Sequence, residues 1–511
     1  TQGCGRCSMN RQIRQLGVAM LVLFALLFAR LNWVQVFDAE QLTADPLNTR
    51  RVVRDFGQRR GNIFTADGLV IAESIDVEGE FDRERRYPEG PLFSHVTGYF
   101  SFEFGATGVE RSYNDELAGH SATQRFESFF DFFGDGDISA DVTLTIDSEL
   151  QRVAANALGE RRGSIVALDP RTGAVLAFYS WPTFDPNAIS NTDLEAARAA
   201  KEALDSAPGE PLLTSAHRQV FPPGSTFKVV TASSGLENGV VTSSDPVFPE
   251  VVNYQLPLTE VSLQNFGGSV CGGNLAQSLA RSCNTTFAKL GAEYLGPAPM
   301  IATAERFGFN DAPPFDIPLI ADSRFPDDFG IQLGQSDQNP PASIVEGSSL
   351  LAQASIGQFD VRATPLQMAL VAAGIANDGD IMEPHVVDRV SDAADGALLA
   401  QVDVDLWRQA VVPSVANTTA AMMVGVVESG TATSLARGNL TVGAKTGTAE
   451  VNTFSGAEDT HAWVIAFAGP REGEPELALA VIVEAVPGQG QQTGGAVATP
   501  IAAALIDTYF G

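Results

Sequence analysis

The sequence predicts an α+β protein, in which an antiparallel sheet is flanked by helices and preceded by a small α+β module and one membrane-spanning helix. Three observations support this fold class. A mostly apolar stretch lies close to the start of the chain, two strand-like runs lie near residue 170, and three more lie near the C-terminus. Strands at both ends of a domain with helical patterns between them favour one antiparallel sheet covered by helices.

The composition describes a large folded protein that does not bind nucleic acid. The chain has 511 residues, of which 44% are apolar and 18% charged, so it can bury a large core and is expected to hold more than one domain. The formal net charge of -30 repels nucleic acid. Lysine occurs only at positions 201, 228, 289 and 445, so each lysine is informative.

The apolar stretch at residues 16–37 predicts a transmembrane signal anchor, since about 20 residues span a bilayer. Arg6, Arg11 and Arg14 precede it, and Asp38, Glu40 and Asp45 follow it. The positive-inside bias predicts a plasma-membrane protein with residues 1–15 in the cytoplasm and the remainder outside. Because Met9 offers a natural start, residues 1–8 are interpreted as extraneous. A cleaved signal peptide is the alternative.

Two domains are predicted after the anchor. Residues 38–140 have short apolar runs and many glycines but no long helical period, which indicates a small non-catalytic α+β module. A strand pattern at Val142–Ile146 then changes to an amphipathic helical pattern through Leu158, and a larger domain, 141–511, begins there.

The larger domain opens with a hairpin and closes with strands and a helix. The runs 163–170 and 174–182 are rich in strand-forming residues and are separated by a tight turn, which predicts the hairpin. Near the C-terminus, TVGAKTGTAEV, HAWVIAFAG and ELALAVIVEAV predict three strands, and an apolar helix is expected from about Pro500 to Tyr509.

Ser225 and Lys228 form the first candidate catalytic pair. Pro222 and Pro223 precede them and predict a helix start with the serine in its first turn. Residues three apart share a helix face, so the amine can reach the hydroxyl. A neutral lysine would serve as a base if burial and a nearby positive charge, such as Lys445, lowered its pKa. Alone, S-x-x-K is better explained by a capping serine followed by an exposed lysine.

Ser282 and Asn284 form an S-x-N string at a predicted junction between a loop and a helix. A second hydroxyl can relay a proton, and an amide can both donate and accept hydrogen bonds. The pair therefore suits proton transfer and orientation of the lysine and of a substrate amide. Without further context the same residues form an ordinary polar helix cap.

Lys445, Thr446 and Gly447 lie in an apolar strand, where an inward-facing lysine has no structural role. The glycine lacks a side chain that would block an approaching acyl group. The backbone N–H of Thr448, together with that of Ser225, would form a two-donor oxyanion hole.

Cys271 and Cys283 lie in the predicted exported part of the chain, where oxidation is permitted. They flank the segment that leads to the S-x-N string. We therefore predict a disulfide bond between them; two free, buried thiols are the alternative.

The three strings S-x-x-K, S-x-N and K-T-G, in this order, resemble the motif set of penicillin-binding proteins and serine β-lactamases. RRGNIFTADGLVIA and GVERSYNDELAG are similar to N-terminal motifs of class B penicillin-binding proteins. GSIVALDPRTGAVLAFYSWPTFDPN and SIGQFDVRATPLQMALVAAGIANDG resemble parts of their transpeptidase domain, and the compact length is most similar to actinobacterial members. One departure is Phe359, where many members have glycine.

The resemblance implies a β-lactamase-like transpeptidase domain with a five-stranded antiparallel sheet, and a dimerisation or pedestal-like N-terminal module. It implies a D,D-transpeptidase that cleaves the D-Ala-D-Ala end of a peptidoglycan stem peptide and passes the acyl group to an amine, with β-lactams acylating Ser225. Ser282 and Asn284 would assist proton transfer and bind a substrate amide. Lys445, Thr446 and Thr448 would bind the terminal carboxylate, with Gly447 part of the same substrate-binding string. No metal or cofactor is implied, and a membrane glycan polymerase is the implied partner.

Three alternatives remain open. A D,D-carboxypeptidase or a β-lactamase of the same fold would resolve the acyl-enzyme with water in place of an amine. A wall-synthesis scaffold would keep the fold with vestigial activity.

Overall fold

The computed structural model describes residues 5–36, 56, 59–78, 81–120, 139–452 and 458–511. The chain divides into two compact units, Thr1–Arg54 and Asp55–Gly511. The predicted module, 38–140, is therefore described only in part.

The first unit contains helix α1, Gly5–Val36. Its stretch Arg14–Trp33 has 20 residues and a mean hydropathy of 1.9, and its apolar side chains are exposed. At 1.5 Å per residue this stretch is about 30 Å long, which matches the hydrocarbon core of a bilayer. This is the only helix of the described residues with the length and composition of a membrane span, and it contains most of the predicted anchor.

The second unit is built from strands and helices of both domains. The strands of the described residues are β1 Ile63–Phe64, β2 Val70–Asp76, β3 Arg83–Arg86, β4 Phe100–Ser101, β5 Gly105–Ala106, β6 Ala140–Leu144, β7 Gly163–Leu168, β8 Val175–Trp181, β9 Phe248–Val251, β10 Asn253–Gln255, β11 Ser262–Gln264, β12 Cys271–Gly273, β13 Gln332–Gln335, β14 Ser343–Val345, β15 Asp380–Met382, β16 Val387–Asp392, β17 Leu398–Gln401, β18 Leu406–Gln409, β19 Leu440–Asn452, β20 Glu458–Pro470 and β21 Leu477–Val483. The α-helices after α1 are α2 Ser94–Thr97, α3 Gly108–Ser112, α4 Asn114–Leu117, α5 Ser148–Leu158, α6 Leu194–Asp205, α7 Ser215–Arg218, α8 Lys228–Glu237, α9 Leu275–Ala280, α10 Asn284–Lys289, α11 Pro297–Arg306, α12 Ser348–Ala354, α13 Pro365–Ala376, α14 Pro413–Ser429 and α15 Thr499–Phe510.

The central sheet has five strands in the order β19-β20-β21-β7-β8, and every neighbouring pair is antiparallel. The predicted hairpin and the three C-terminal strands thus join in one sheet, which confirms the predicted fold class. Strand β21 is buried at every residue because it lies in the middle of the sheet. Helices α5 and α15 pack on each other and on the sheet. Helix α13 also packs on it and is buried from Pro365 to Ile375.

Local signals explain where the first helix of the larger domain begins and ends. The Asp147 carboxylate caps α5 by accepting the backbone N–H of Leu150 at 2.7 Å. Gly159 follows the helix with a φ of 60°, a conformation that glycine adopts without strain. Leu150, Ala154 and Leu158 are buried, as the amphipathic pattern predicts.

A second sheet connects the N-terminal module to the larger domain. Its order is β17-β16-β6-β1-β2-β3, with β6 parallel to β1 and antiparallel to β16. Val142 of β6 is paired with Ile63 on one side and with Val390 on the other. The predicted domain boundary at residue 140 therefore falls in a strand that both parts of the chain share.

A buried ion cluster lies in the N-terminal module. The Glu110 carboxylate accepts hydrogen bonds from Arg60 Nε and Arg85 Nε, each at 2.6 Å, and all three side chains are almost completely buried. Arg60 also donates to Asn114 Oδ1 at 2.9 Å, and Arg85 to the Gly61 carbonyl at 2.8 Å. Burial alone raises the pKa of Glu110, but the charges of the two arginines outweigh it and keep the pKa below its usual value.

Substituting Glu110→Gln is expected to lower the free energy of unfolding by about 3 to 5 kcal/mol, because it leaves two buried guanidinium groups without a countercharge. Chemical denaturation of both proteins measures the loss. The matched control is Glu103→Gln, which breaks an exposed ion pair with Arg198 and is expected to have a much smaller effect. Equal losses in the two variants would contradict this role of the cluster.

Candidate active site

Ser225 lies in a 3-10 turn, Gly224–Phe227, that leads directly into α8. The backbone N–H of Gly224 donates to the Gly357 carbonyl at 2.9 Å, and both glycines have positive φ angles, 54° and 75°. A Cβ atom on Gly357 would lie 2.1 Å from the Gly224 carbonyl oxygen. Only glycine at position 357 therefore allows this close contact with the residue before Ser225. No pattern in the sequence predicted the contact.

Lys228 is fully buried one turn after the serine. Its Nζ donates to the Ser282 carbonyl at 2.8 Å, to Ser282 Oγ at 3.3 Å and to Asn284 Oδ1 at 2.7 Å. Burial, reinforced by the positive charge of Lys445, keeps the pKa of Lys228 well below its ordinary value. Such an amine can be neutral and accept a proton near neutral pH.

The Ser282 hydroxyl lies between the two buried lysines. Lys445 Nζ donates to Ser282 Oγ at 2.9 Å and to the Thr446 carbonyl at 2.8 Å. Burial lowers the pKa of Lys445 to about 7. Ser282 has a φ of 61°, a strained conformation for a residue with a side chain, and such strain is typical of functional sites. Its hydroxyl is thus held where it can pass a proton from one amine toward the other.

The segment before the S-x-N string fixes Asn284. The Asn284 Nδ2 donates to the Gln264 carbonyl at 2.9 Å, so its amide oxygen is left to face Lys228. Asn265 accepts the backbone N–H of Thr285 at 3.1 Å and donates to the Ser269 carbonyl at 3.1 Å. No sequence signal distinguished Asn265 from the other polar residues of its loop.

A disulfide bond joins Cys271 and Cys283, whose Cα atoms are 5.4 Å apart. Cys283 lies between Ser282 and Asn284, so the bond attaches the S-x-N string to β12. Together with the hydrogen bonds of Gln264 and Asn265, it attaches the S-x-N string to the segment 264–271.

The third string lies on β19. Lys445 is fully buried. The backbone of Thr448 lies close to the 3-10 turn Gly224–Phe227, since a Cβ on Gly224 would be 2.9 Å from the Thr448 carbonyl oxygen. A Cβ on Gly447 would lie 3.0 Å from both the Pro223 carbonyl oxygen and a Trp463 side-chain atom. Gly447 thus lets the strand pack against the 3-10 turn that carries Ser225.

Thr431 lies beside the third string in the folded chain. Its hydroxyl is 2.6 Å from that of Thr446, and it comes directly after the end of α14. Both threonines line the cleft that the three strings surround. Nothing in the isolated sequence placed residue 431 beside the K-T-G string.

These elements surround a cleft of about 1450 Å³. Its lining includes five of the predicted site residues, Ser225, Ser282, Asn284, Thr446 and Thr448. Lys228 and Lys445 lie buried behind it and contact it through Ser282. Within the described ranges, no group of three or more His, Cys, Asp or Glu side chains is arranged to hold a metal ion. The cleft is large enough for an extended peptide.

The rate of acylation by benzylpenicillin is expected to follow a bell-shaped pH profile. Burial, together with repulsion from Lys445, lowers the pKa of Lys228, and burial lowers the pKa of Lys445 to about 7. Below the pKa of Lys228 its amine is protonated and cannot take up a proton, so the rate is expected to fall. Above about pH 7 Lys445 loses the positive charge that would attract a substrate carboxylate, so the rate is expected to fall again. Stopped-flow measurement of the second-order rate constant checks this. A rate that increases steadily as the pH is lowered would contradict a neutral Lys228.

Comparisons with known proteins agree with this geometry. Residues 163–507 match the model of the penicillin binding protein transpeptidase domain, and residues 60–141 match that of the penicillin binding protein A dimerisation domain. The chain is 38% identical to peptidoglycan D,D-transpeptidase PbpA of Mycolicibacterium smegmatis, over 98% of each chain. It is 34% identical to the PbpA of Mycobacterium tuberculosis, over 98% of this chain and 99% of the other.

Solved structures of penicillin-binding proteins are similar to this chain over most of its length. A ceftriaxone acyl-enzyme complex of penicillin-binding protein A from M. tuberculosis has a TM-score of 0.79 and 31% identity, and the match covers 90% of this chain and 100% of the other. A penicillin G acyl-enzyme complex of the same protein has a TM-score of 0.78 and 32% identity, covering 89% and 100%.

Proposed function

Since the chain belongs to the class B penicillin-binding proteins and is a peptidoglycan D,D-transpeptidase, we propose that Ser225 is its nucleophile and Lys228 the base that takes the serine proton. One observation carries this assignment. Lys228 is fully buried one helical turn from Ser225, and its amine is bound to the oxygen atoms of Ser282 and Asn284. A buried amine beside a second lysine is a group whose neutral form is favoured.

Acylation then proceeds as a serine acyl transfer. The Ser225 Oγ attacks the carbonyl of the penultimate D-Ala while Lys228 Nζ takes the hydroxyl proton. The backbone N–H groups of Ser225 and Thr448 would stabilise the oxyanion. The peptide bond breaks, and the proton passes through the Ser282 hydroxyl to the nitrogen of the leaving D-Ala, which restores the neutral base.

The second half-reaction reverses these roles. The amine of a neighbouring stem peptide attacks the Ser225 ester and loses a proton to the base, and the returning proton restores the serine hydroxyl as the ester bond breaks. The product is the crosslinked peptide. Attack by water at the same step would give a carboxypeptidase or a β-lactamase, so the exclusion of water from the acyl-enzyme decides between these outcomes.

The terminal carboxylate of the donor is assigned to Lys445, Thr446 and Thr448. A carboxylate only accepts hydrogen bonds, so a hydroxyl that binds it must donate its proton. The 2.6 Å contact between Thr431 and Thr446 supports this, because a proton donated by Thr431 leaves the Thr446 hydroxyl oriented toward the cleft as a donor.

Substituting Thr431→Val is therefore expected to lower the acylation rate for benzylpenicillin about tenfold, since one hydrogen bond that orients the carboxylate donor is lost. The matched control, Thr431→Ser, keeps the hydroxyl and is expected to react at close to the rate of the unmodified protein. Stopped-flow acylation measures both. Equal rates in the valine and serine variants would show that the hydroxyl pair has no role.

The proposal extends to topology and partners. The arginines before α1 and the acidic residues after the apolar stretch support a cytoplasmic N-terminus and an extracytoplasmic catalytic unit. The match of residues 60–141 to a dimerisation domain supports a non-catalytic module at 38–140, with 141–511 as the transpeptidase domain. We assign to this module the contact with a membrane glycan polymerase. Protease added outside intact cells tests the topology, and crosslinking from the module's surface tests the partner.

The experiment that tests the proposed chemistry uses a peptide donor ending in D-Ala-D-Ala, with and without an amine acceptor. The expected result is release of D-Ala together with a crosslinked product that requires the acceptor, and neither product from Ser225→Ala. Release of D-Ala by hydrolysis alone would instead support the carboxypeptidase. If cell-wall growth were unaffected by Ser225→Ala, the scaffold function would become the main one.

A further inference from the structure

Phe359 has a backbone conformation that is unfavourable for a bulky residue. Its φ is 58°, in the left-handed region that glycine enters without strain. Two of the non-glycine residues with positive φ in the described ranges, Ser282 and Phe359, line the active-site cleft. Such outliers persist where the surrounding structure imposes them, and they concentrate at functional sites.

The turn that carries Phe359 is hydrogen-bonded to the 3-10 turn Gly224–Phe227, which carries Ser225. Arg362 Nη1 donates to the Phe359 carbonyl at 2.7 Å, and the backbone N–H of Val361 donates to the Gln358 carbonyl at 3.3 Å. Two residues earlier, the Gly357 carbonyl accepts the backbone N–H of Gly224. The backbone position of Phe359 is therefore coupled to that of Gly224, the residue next to Ser225.

Phe359 is partly exposed. It is 36% exposed, and it lines the same cleft as Ser225, together with Ile356 and the more exposed Phe266. Exposing part of a large apolar side chain costs free energy, and a strained backbone conformation costs more. A ligand that covers the ring would compensate for both.

We infer that Phe359 is a specificity-determining residue of the acyl-donor side of the cleft, where its ring packs against an apolar substituent of the donor. The groups assigned to the leaving D-Ala carboxylate lie on a different element, β19. The recognised chemistry is a hydrocarbon or aryl group on the acyl side, whether from the stem-peptide residue before the two D-alanines or from a β-lactam side chain. This inference rests on the proposed acylation of Ser225.

Two penicillins that share the bicyclic ring test it. Benzylpenicillin carries a phenyl group on the acyl side, whereas 6-aminopenicillanic acid carries a bare amine. In Phe359→Gly the second-order acylation rate constant for benzylpenicillin is expected to fall about fivefold to tenfold, with that for 6-aminopenicillanic acid unchanged within about twofold. The melting temperature is expected not to fall, because glycine relieves the backbone strain.

Leu319→Gly is the matched control. Leu319 has a φ of 69° and is 51% exposed, but it is not part of the cleft lining, so this substitution relieves similar strain without changing either rate. An unchanged benzylpenicillin rate in Phe359→Gly, or an equal fall for both penicillins, would overturn the inference. Phe359→Leu, which keeps apolar bulk, is expected to be intermediate. If the unmodified protein reacted with neither penicillin, the proposed function itself would fail.

Discussion

Replacing Ser225 with alanine is expected to abolish both covalent labelling by fluorescent penicillin and formation of crosslinked peptide. Removal of the nucleophile eliminates the acyl-enzyme, and in serine hydrolases such a loss lowers turnover on the order of a millionfold. Because Ser225 is only partly buried, the variant should fold normally, and its thermal denaturation should match that of the unmodified protein. Gel fluorescence and a crosslinking assay measure the two activities.

The control for Ser225→Ala is another serine of the same cleft. Ser262 is exposed and lines the cleft, but it belongs to β11 and has no assigned role in proton transfer. Ser262→Ala is expected to keep labelling within about twofold. Persistent labelling of a folded Ser225→Ala protein would mean that another residue is the nucleophile.

Replacing Lys228 with methionine is expected to slow acylation about a thousandfold, which is within the range that a general base contributes. The substitution also changes the pH dependence of stability. The folded pKa of Lys228 is lowered, so between that pKa and the unfolded value the unfolded state binds more protons, and stability rises with pH. The methionine variant should lose this part of the slope, which denaturation at several pH values measures.

Lys289 provides the matched lysine. It is partly exposed and pairs with Glu293 on the next helical turn at 3.4 Å, away from the cleft lining. Lys289→Met is expected to leave the acylation rate and its pH profile unchanged. An acylation rate in Lys228→Met that remains within about tenfold of the unmodified protein would show that another group accepts the serine proton.

The fold class could be predicted because its signals are local. The central hairpin β7-β8 and the strands β19, β20 and β21 have apolar runs bounded by turns, and their antiparallel arrangement follows from the element order. The six-stranded sheet could not be predicted. It pairs Val142 of β6 with Ile63 of β1 and with Val390 of β16, and such long-range pairing leaves no periodic signal in a single sequence.

The residues of the candidate site could also be predicted only in part. The three strings and their order predicted which side chains gather around Ser225, because each string carries several chemically specific residues. The supporting contacts have no such signature. Asn265 and Thr431 act through hydrogen bonds that only the folded chain creates, and the positive φ of Ser282 depends on the packing around it. The close packing of Gly447 against the turn of Ser225 likewise appears only in the folded chain.

The most direct test of the central assignment is to locate the covalent adduct of benzylpenicillin on the unmodified protein. Intact mass spectrometry followed by peptide mapping measures both the number of adducts and their position. We expect one penicilloyl group per chain, attached to the Ser225 side chain. A folded protein that carries no adduct, or an adduct on any other residue, would contradict it.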